Sequence, residues 1–398
     1  MRKNGNPFLL LAGDGLSAFG TWIDFLAILT LAAYQFHVSS YEMAIVSAAG
    51  VLPGMLLSPF IGRLCDKGNP QKVLLVSMVA RVVATGAIIL CHDFYLFLGL
   101  VAVRSVFAMV APPAINVMAV RSVDTADLPR FYSLLNVINN AAKVLAPAIG
   151  TISSSLASET VALGMSLLFS AAAIAVFAAV RIRPQEAMSV PADHAAGKPA
   201  PLAPRLVPLL WIATTYAFFI FLVNNLFPLV LQREGFDKAL LGLLISCSGA
   251  GNILSGLWLA RKASAMRGDM RELVIPALLQ AIGFGLIGIT LWLKLAHAAE
   301  VLPVLFFLIG TCSAWYAIAT NVHVATHFSA SIGSVWGVLQ AWQSAMILLA
   351  PMVGALVLDA WGPEWLFFFS TATAIVSFAL FYGLRALGVP RLHVPLAP

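Results

Sequence analysis

Stretches of mostly apolar residues, each about long enough to cross a bilayer, follow one another along the whole chain with short polar interruptions. A membrane-spanning helix needs about 20 such residues. Only helices and closed barrels satisfy every backbone polar group in lipid, and barrel strands would show alternating segments of about ten residues. The sequence therefore predicts an all-α membrane protein with twelve transmembrane helices, at 7–36, 41–63, 72–91, 94–119, 131–156, 160–181, 206–231, 239–260, 272–294, 301–326, 333–358 and 363–387.

Composition excludes the main alternatives to a membrane protein. Only 10% of the residues are charged and 61% are hydrophobic, whereas an average soluble domain is about 25% charged. Disorder requires low hydrophobicity and is excluded as well. The first apolar run is too long for a signal-peptide core, so we expect it to remain as the first spanning helix. The four cysteines are scattered and predict neither a disulfide framework nor a metal site.

An internal repeat predicts that the chain has two halves. Ala146-Pro147-Ala148-Ile149-Gly150 recurs as Ala350-Pro351-Met352-Val353-Gly354, and one long polar stretch, rich in Pro and Ala, divides the twelve spans six and six. Repeats of this kind build two pseudo-symmetric bundles with the substrate path between them. We expect six-helix bundles at 1–181 and 206–398, joined by a cytoplasmic linker at 182–205.

The distribution of basic residues predicts the orientation in the membrane. With the N-terminus inside, 17 of the 23 Lys and Arg residues lie on the cytoplasmic side and 3 in outer loops. This asymmetry follows the positive-inside rule and predicts that both termini are cytoplasmic. We attribute the net charge of +6 to contact with anionic lipid and expect no binding to nucleic acid.

Five charged residues lie inside predicted spans: Asp14, Asp24, Arg81, Arg104 and Lys143. Each would cost roughly 3 kcal/mol if it faced lipid, so they must face a water-filled cavity or one another. Asp24 lies near mid-membrane and is the first candidate for a proton carrier, with Asp14 second. The alternative is that Asp24 forms a permanent ion pair with one of the three basic residues.

Polar residues at helical spacing form stripes on the first, fifth and eleventh spans. Asp14, Ser17, Thr21 and Asp24 share one face of the first span. Such stripes predict a shared aqueous cavity, and the alternative is hydrogen bonding that holds the helices together. The interior charges sum to plus one, which favours an anionic or zwitterionic substrate. The predicted substrate-binding residues are Arg81, Asn136, Asn139, Asn140, Lys143, Asn224, Trp315, Tyr316, Gln340 and Gln343.

The loop after the second span reads Gly62-Arg63-Leu64-Cys65-Asp66-Lys67-Gly68. It resembles the G-x-x-x-D-[RK] signature of the major facilitator superfamily. Within that superfamily the fit is closest to the drug- and siderophore-efflux group. The supporting residues are Ser17-Ala18-Phe19-Gly20, Arg81, Pro113-Ala114 and the run from Lys143 to Gly150. The chain departs from the group's antiporter signature at Ala146, where a glycine would precede the proline.

This resemblance implies a secondary transporter that exports small amphiphilic molecules in exchange for protons by alternating access. Gly62, Asp66 and Lys67 would form a gating loop, in which Asp66 latches the cytoplasmic ends of the two halves. Arg104 would act with Asp24 and Asp14 in proton coupling. We expect a monomer in a bacterial inner membrane, without a cofactor, bound metal or enzymatic activity. An uptake symporter for an organic anion and a lysolipid flippase are the alternatives, whereas a receptor would need an output domain that the sequence lacks.

Overall fold

The computed structural model describes residues 6–36, 38, 40–156, 159–181, 202–236, 238–262, 266–294 and 297–387. Over these ranges the chain forms α-helices and one short 3₁₀ turn, Thr125–Asp127, without any strand. The α-helices are α1 (Asn6–Tyr34), α2 (Ser40–Ala49), α3 (Leu52–Lys67), α4 (Pro70–Ile89), α5 (Phe94–Ala108), α6 (Ala111–Ser122), α7 (Leu128–Leu156), α8 (Glu159–Ala178), α9 (Leu202–Asn224), α10 (Phe227–Arg233), α11 (Lys238–Arg261), α12 (Met270–Trp292), α13 (Ala298–His327), α14 (Ile332–Trp361) and α15 (Pro363–Ala386).

Every predicted span coincides with one helix or with two consecutive helices, which confirms the all-α membrane fold. Nine segments of the described chain are apolar and long enough to cross a membrane. The other three predicted spans coincide with α1, α7 and α8, and α8 contains the shorter apolar helix Leu163–Ala178. Most of the predicted linker, 182–201, lies outside the described residues, and 202–205 form the first turn of α9.

Three spans that the sequence predicts as continuous are broken in the structure. The breaks separate α2 from α3, α5 from α6 and α9 from α10. In each case a proline, Pro53, Pro112 or Pro228, stands in the first turn of the second helix. Proline lacks an N–H and clashes with the preceding turn, so it starts a helix more readily than it continues one. Short-range backbone bonds such as Val110 N to Phe107 O keep the broken backbone satisfied.

The helices group into two compact units. The first comprises Met1–Pro184, Ala260–Ala265 and Val324–Ala341, and the second comprises Gln185–Leu259, Met266–His323 and Trp342–Pro398. The first unit therefore includes the beginning of α14 in addition to α1–α8. The bundle limits 1–181 and 206–398 stay predictions.

In the first unit, α1 packs closely against α7 and α8 through glycines. A Cβ atom at Gly15 would lie 2.8 Å from the Ile138 side chain on α7, and one at Gly13 would lie 2.9 Å from Phe177 on α8. Such contacts let helices approach closely, as membrane helices do where small residues meet. This close packing fixes the position of α1 against α7 and α8.

In the second unit, α12 packs against α9 and α15 through an aromatic cluster. The rings of Phe219, Phe284 and Phe367 stand edge-to-face, with centroids 6.0 and 6.2 Å apart in successive pairs. All three side chains are buried. Edge-to-face contacts are a favourable geometry for aromatic rings, so this cluster fixes the three helices together.

Candidate functional site

Asp24 on α1 forms a buried ion pair with Arg104 on α5. Arg104 donates through Nε to Asp24 Oδ2 at 2.6 Å, and its Nη2 contacts the same oxygen. The Thr85 hydroxyl on α4 donates to Oδ2 over 3.3 Å. Asp24 is only 2% exposed and Arg104 only 6%. The structure thus brings two predicted coupling residues together, in the arrangement that the sequence analysis considered as the ion-pair alternative.

Arg81 on α4 is buried next to this pair, but hydroxyl groups are its direct partners. Its Nη1 donates to Thr21 Oγ1 at 2.8 Å, and its Nη2 donates to the hydroxyls of Ser17 and Ser170 at 3.5 and 3.2 Å. Among the described residues no carboxylate is in ion-pair contact with it, although Asp24 and Arg104 are near enough to interact electrostatically. The cluster of Asp24, Arg81 and Arg104 therefore carries a net charge of plus one when all three are ionised.

Asp14 has a different environment, two to three turns away from Asp24 on α1. It is half-buried and accepts a hydrogen bond from Asn139 Nδ2 on α7 at 2.8 Å. On the same face of α7, Asn140 donates within its own helix to the backbone and side-chain oxygens of Asn136. Asp14 and Asn139, both predicted from the polar stripes, are thus in direct contact.

Lys143 lies one turn beyond Asn139 on α7, and its side chain is exposed. Its ammonium nitrogen stands 5.8 Å from the ring centroid of Trp22 on α1. That distance is within the range of a cation–π interaction, which orients a cation without neutralising it. The structure thus places the charge of Lys143 beside an aromatic ring of α1.

Asp66 caps the beginning of α14 within the first unit. Its two carboxylate oxygens accept the backbone N–H groups of Gly333 and Ser334, each at 2.7 Å, and one also accepts the Ser334 hydroxyl at 2.6 Å. A helix N-terminus attracts a carboxylate because its first N–H groups lack partners within the helix. The predicted gating residue thus holds a helix end, whereas the neighbouring Lys67 is exposed.

Glycines allow α3 and α14 to touch at this point. A Cβ atom at Gly62 would overlap the carbonyl oxygen of Gly333, and one at Gly337 would overlap that of Ser58. Arg121 on α6 also donates to the backbone oxygen of Asp66 at 3.1 Å, a contact that sequence analysis did not identify. The predicted gating loop therefore lies where α3 and α14 cross at close contact, and its carboxylate caps α14.

The remaining predicted binding residues have varied surroundings. Gln340 accepts the Ser58 hydroxyl at 3.2 Å and donates to the Met109 sulfur at 2.8 Å, so it packs between helices. Asn224 and Gln343 are exposed and Trp315 is half-buried. Tyr316 is buried and stacks on Tyr216, with ring centroids 3.4 Å apart.

A polar cluster in the second unit was missed by the sequence analysis. The Tyr216 hydroxyl on α9 donates to Gln280 Oε1 on α12 at 3.1 Å and contacts the Ser313 hydroxyl on α13 at 3.4 Å. Gln280 is only 3% exposed. An isolated glutamine inside the apolar span 272–294 is the signal that could have identified it, since buried polar groups need partners.

The described residues contain no group of three or more His, Cys, Asp or Glu side chains that could hold a metal ion. His323, one of a histidine pair spaced four residues apart on α13, instead has its Nδ1 2.5 Å from the Gly268 carbonyl oxygen. The contacts described above consist of charged pairs, hydrogen bonds and stacked aromatic rings.

Comparison with known proteins places this geometry in a family. A family model described as Major Facilitator Superfamily matches residues 10–298. The uncharacterized MFS-type transporter YfiS of Bacillus subtilis (strain 168) is 24% identical over 384 residues, which cover 90% of this chain and 88% of that protein.

Solved structures of transporters share the fold. The human organic anion transporter MFSD10 (TETRAN) matches with a TM-score of 0.73 and 16% identity, over 94% of this chain and 98% of that one. A bacterial homologue of the iron transporter ferroportin, in its outward-facing state, matches with a TM-score of 0.75 and 13% identity, over 96% and 99% of the two chains. Since the family model covers most of the sequence, the chain belongs to the Major Facilitator Superfamily and is a multi-pass membrane transporter of a small molecule.

Proposed function

We propose that this protein exports small anionic or zwitterionic amphiphiles in exchange for protons, by alternating access, as a monomer in a bacterial inner membrane. The observation that carries this proposal is the surplus of positive charge inside the first unit. Arg81 has only hydroxyl groups in direct contact, and Lys143 faces an aromatic ring. Charges inside a membrane protein that have no paired counter-ion mark sites where a ligand supplies one.

The contacts of the two aspartates favour different roles for them. A proton on Asp24 would leave Arg104 charged and unpaired in a buried site, which is costly. A proton on Asp14 would disturb only a hydrogen bond from the neutral amide of Asn139. We therefore assign proton binding to Asp14 and the positioning of Arg104 to Asp24, which reverses the order expected from depth in the membrane alone.

The Asp66 cap supports alternating access. A few charge-assisted hydrogen bonds between a carboxylate and a helix end hold one state, yet they break without unfolding either helix. We propose that this cap stabilises the state in which the cytoplasmic side is closed. Each cycle would release it and form it again.

Transport assays in proteoliposomes test which aspartate couples proton movement to substrate transport. Under an imposed pH gradient, Asp14→Asn is expected to abolish accumulation of a fluorescent anionic amphiphile while its binding stays measurable, because an amide keeps the shape but carries no proton. Asp24→Asn is expected to lower binding and transport together, because the buried Arg104 loses the partner that positions it. Gradient-driven transport by Asp14→Asn at the wild-type rate would contradict the assignment. Asp359→Asn, which removes an exposed carboxylate outside the candidate site, is the control for nonspecific charge effects.

An uptake symporter for an organic anion is the second candidate. The surplus of positive charge in the first unit favours this function as well, and one structural relative is named an organic anion transporter. An exporter and an uptake symporter move different amounts of charge in each transport cycle. An imposed membrane potential therefore affects them differently and distinguishes between them. A lysolipid flippase would also use the positively charged, anion-binding site but would require no proton gradient.

A further inference from the structure

A cavity of about 450 Å³ lies in the second unit, where α14 ends and α15 begins. It is lined by Trp361, Trp365, Phe368, Phe369 and Ala372. The two tryptophans are 61% and 49% exposed, so the cavity is an open groove with apolar walls. None of the residues in the candidate transport site belongs to it.

The groove runs along a membrane-spanning helix. The segment Pro363–Ala386 is apolar and long enough to cross a bilayer. At a rise of 1.5 Å per residue, the lining residues Trp365 and Ala372 are separated by about 10 Å along α15. Half of the hydrocarbon core of a bilayer is about 15 Å thick, so the groove extends through most of one leaflet. By the predicted topology this is the outer leaflet.

Charged residues lie near the start of α15, which forms one wall of the groove. Glu364 belongs to the first turn of α15, between the two tryptophans, and its carboxylate lies over Gly362. Glu234 follows α10, where burial and the negative charge of Glu364 raise its pKa while Lys294 opposes that rise. Two carboxylates and one ammonium group are therefore near enough to interact. Arg233 is already paired with Asp359 at 2.6 Å.

We propose that this groove binds one acyl chain of phosphatidylethanolamine, a phospholipid whose headgroup carries both an ammonium group and a phosphate. The chain would lie against the aromatic side chains at the depth where lipid tails are found. The ammonium group would contact Glu364 and Glu234, and the phosphate would face Lys294. An anionic lipid without an ammonium group would meet two carboxylates and be disfavoured.

The small size of the groove argues against a second copy of the chain as its occupant. A stable protein interface buries roughly 800 Å² on each partner and involves about 20 to 30 residues a side. Five lining residues supply a small part of that surface. A single extended hydrocarbon chain, by contrast, needs only a narrow apolar channel.

Native mass spectrometry of the full-length protein, purified in detergent with equal amounts of phosphatidylethanolamine and phosphatidylglycerol, tests the proposal. We expect a retained phosphatidylethanolamine adduct whose apparent affinity falls about tenfold in Trp365→Ala. Ala372→Trp fills the groove without removing any packing and is expected to have the same effect. The matched control is Trp258→Ala, because Trp258 is similarly exposed, at 51%, but lies on α11 away from the groove.

A second variant tests recognition of the lipid headgroup separately from binding of the acyl chain. Glu364→Gln is expected to abolish the preference for phosphatidylethanolamine over phosphatidylglycerol while an adduct remains. Unchanged adducts in both Trp365→Ala and Ala372→Trp would overturn the proposal. So would an unchanged headgroup preference in Glu364→Gln, or a protein dimer that forms in place of the lipid adduct and is lost in Ala372→Trp.

Discussion

At the scale of single residues, the pair of Asp24 and Arg104 shows how a buried charge depends on its partner. Removing one member of a buried ion pair typically costs 3–5 kcal/mol because the other charge is left unpaired. We expect Asp24→Asn and Arg104→Gln each to lower the free energy of unfolding by about 3 kcal/mol, and the double variant to lower it by less than either single change. Denaturation in detergent, followed by tryptophan fluorescence, measures this.

The exposed pair of Arg233 and Asp359 is the matched control for this prediction. Its side chains are 39% and 67% exposed, and exposed pairs contribute at most about 1 kcal/mol. Asp359→Asn is therefore expected to change stability little. Additive losses in the double variant of Asp24 and Arg104 would show that the two charges act independently.

Lys143 gives a second prediction at the residue scale, and it concerns substrate charge. Because its ammonium group faces Trp22 and no ion pair neutralises it among the described residues, its charge is free to attract a ligand. Lys143→Ala is expected to weaken binding of an anionic amphiphile about tenfold and of a neutral analogue by much less. Lys143→Arg keeps the charge and should retain the difference. Equal losses for the anionic and the neutral ligand, measured by fluorescence titration, would contradict the role.

Much of the candidate site could be predicted at this scale, but its pairings could not. The cost of placing charge in lipid identifies Asp14, Asp24, Arg81, Arg104 and Lys143 from sequence alone. Which of these residues contact each other depends on how each helix is rotated about its axis and how deep it lies in the membrane. Residue spacing within one helix determines neither the rotation nor the depth. Hence Asp24 could equally have met any of three basic residues, and Trp22 was not recognised as the neighbour of Lys143.

At the scale of helices, the crossing of α3 and α14 depends on the absence of side chains. Since a Cβ at Gly62 would overlap Gly333, Gly62→Ala is expected to separate the two helices and weaken the Asp66 cap. Cys65, adjacent to that cap, is inaccessible in the structure. In a background that lacks the other three cysteines, we expect maleimide to label Cys65 faster in Gly62→Ala and in Asp66→Asn than in the parent.

Gly86→Ala is the control for this prediction, because nothing lies within 4 Å of a Cβ at that position on α4. It should leave the labelling rate unchanged. Identical rates in Gly62→Ala and Gly86→Ala would mean that the close crossing does not protect Cys65.

Helix positions could be predicted far better than helix continuity. Long apolar runs locate the spans because the bilayer demands them, and each predicted span does coincide with helical structure. The breaks at Pro53, Pro112 and Pro228 could not be predicted with the same security, since proline also occurs inside membrane helices, as Pro276 does in α12. Whether a proline breaks or only bends a span is decided by the neighbouring helices that satisfy its freed backbone groups.

At the scale of the whole molecule, the charge moved in each cycle distinguishes export from uptake. If one proton enters as one monovalent anion leaves, two positive charges move inward per cycle. If a proton and the anion enter together, no net charge moves. Each elementary charge gains about 2.3 kcal/mol per 100 mV, so exchange would gain about 5 kcal/mol from an inside-negative potential of that size, whereas symport would gain nothing.

We therefore expect a potassium diffusion potential, negative inside and imposed without a pH gradient, to drive a monovalent anionic substrate out of proteoliposomes in which the cytoplasmic face points inward. A zwitterionic substrate moves one charge per cycle and should respond about half as strongly in free energy. Asp14→Asn, which cannot carry the proton, should remove the response to the potential for the zwitterion. Transport of the anion that ignores the potential but follows the pH gradient would instead identify the protein as a symporter, because only an electroneutral cycle behaves in that way.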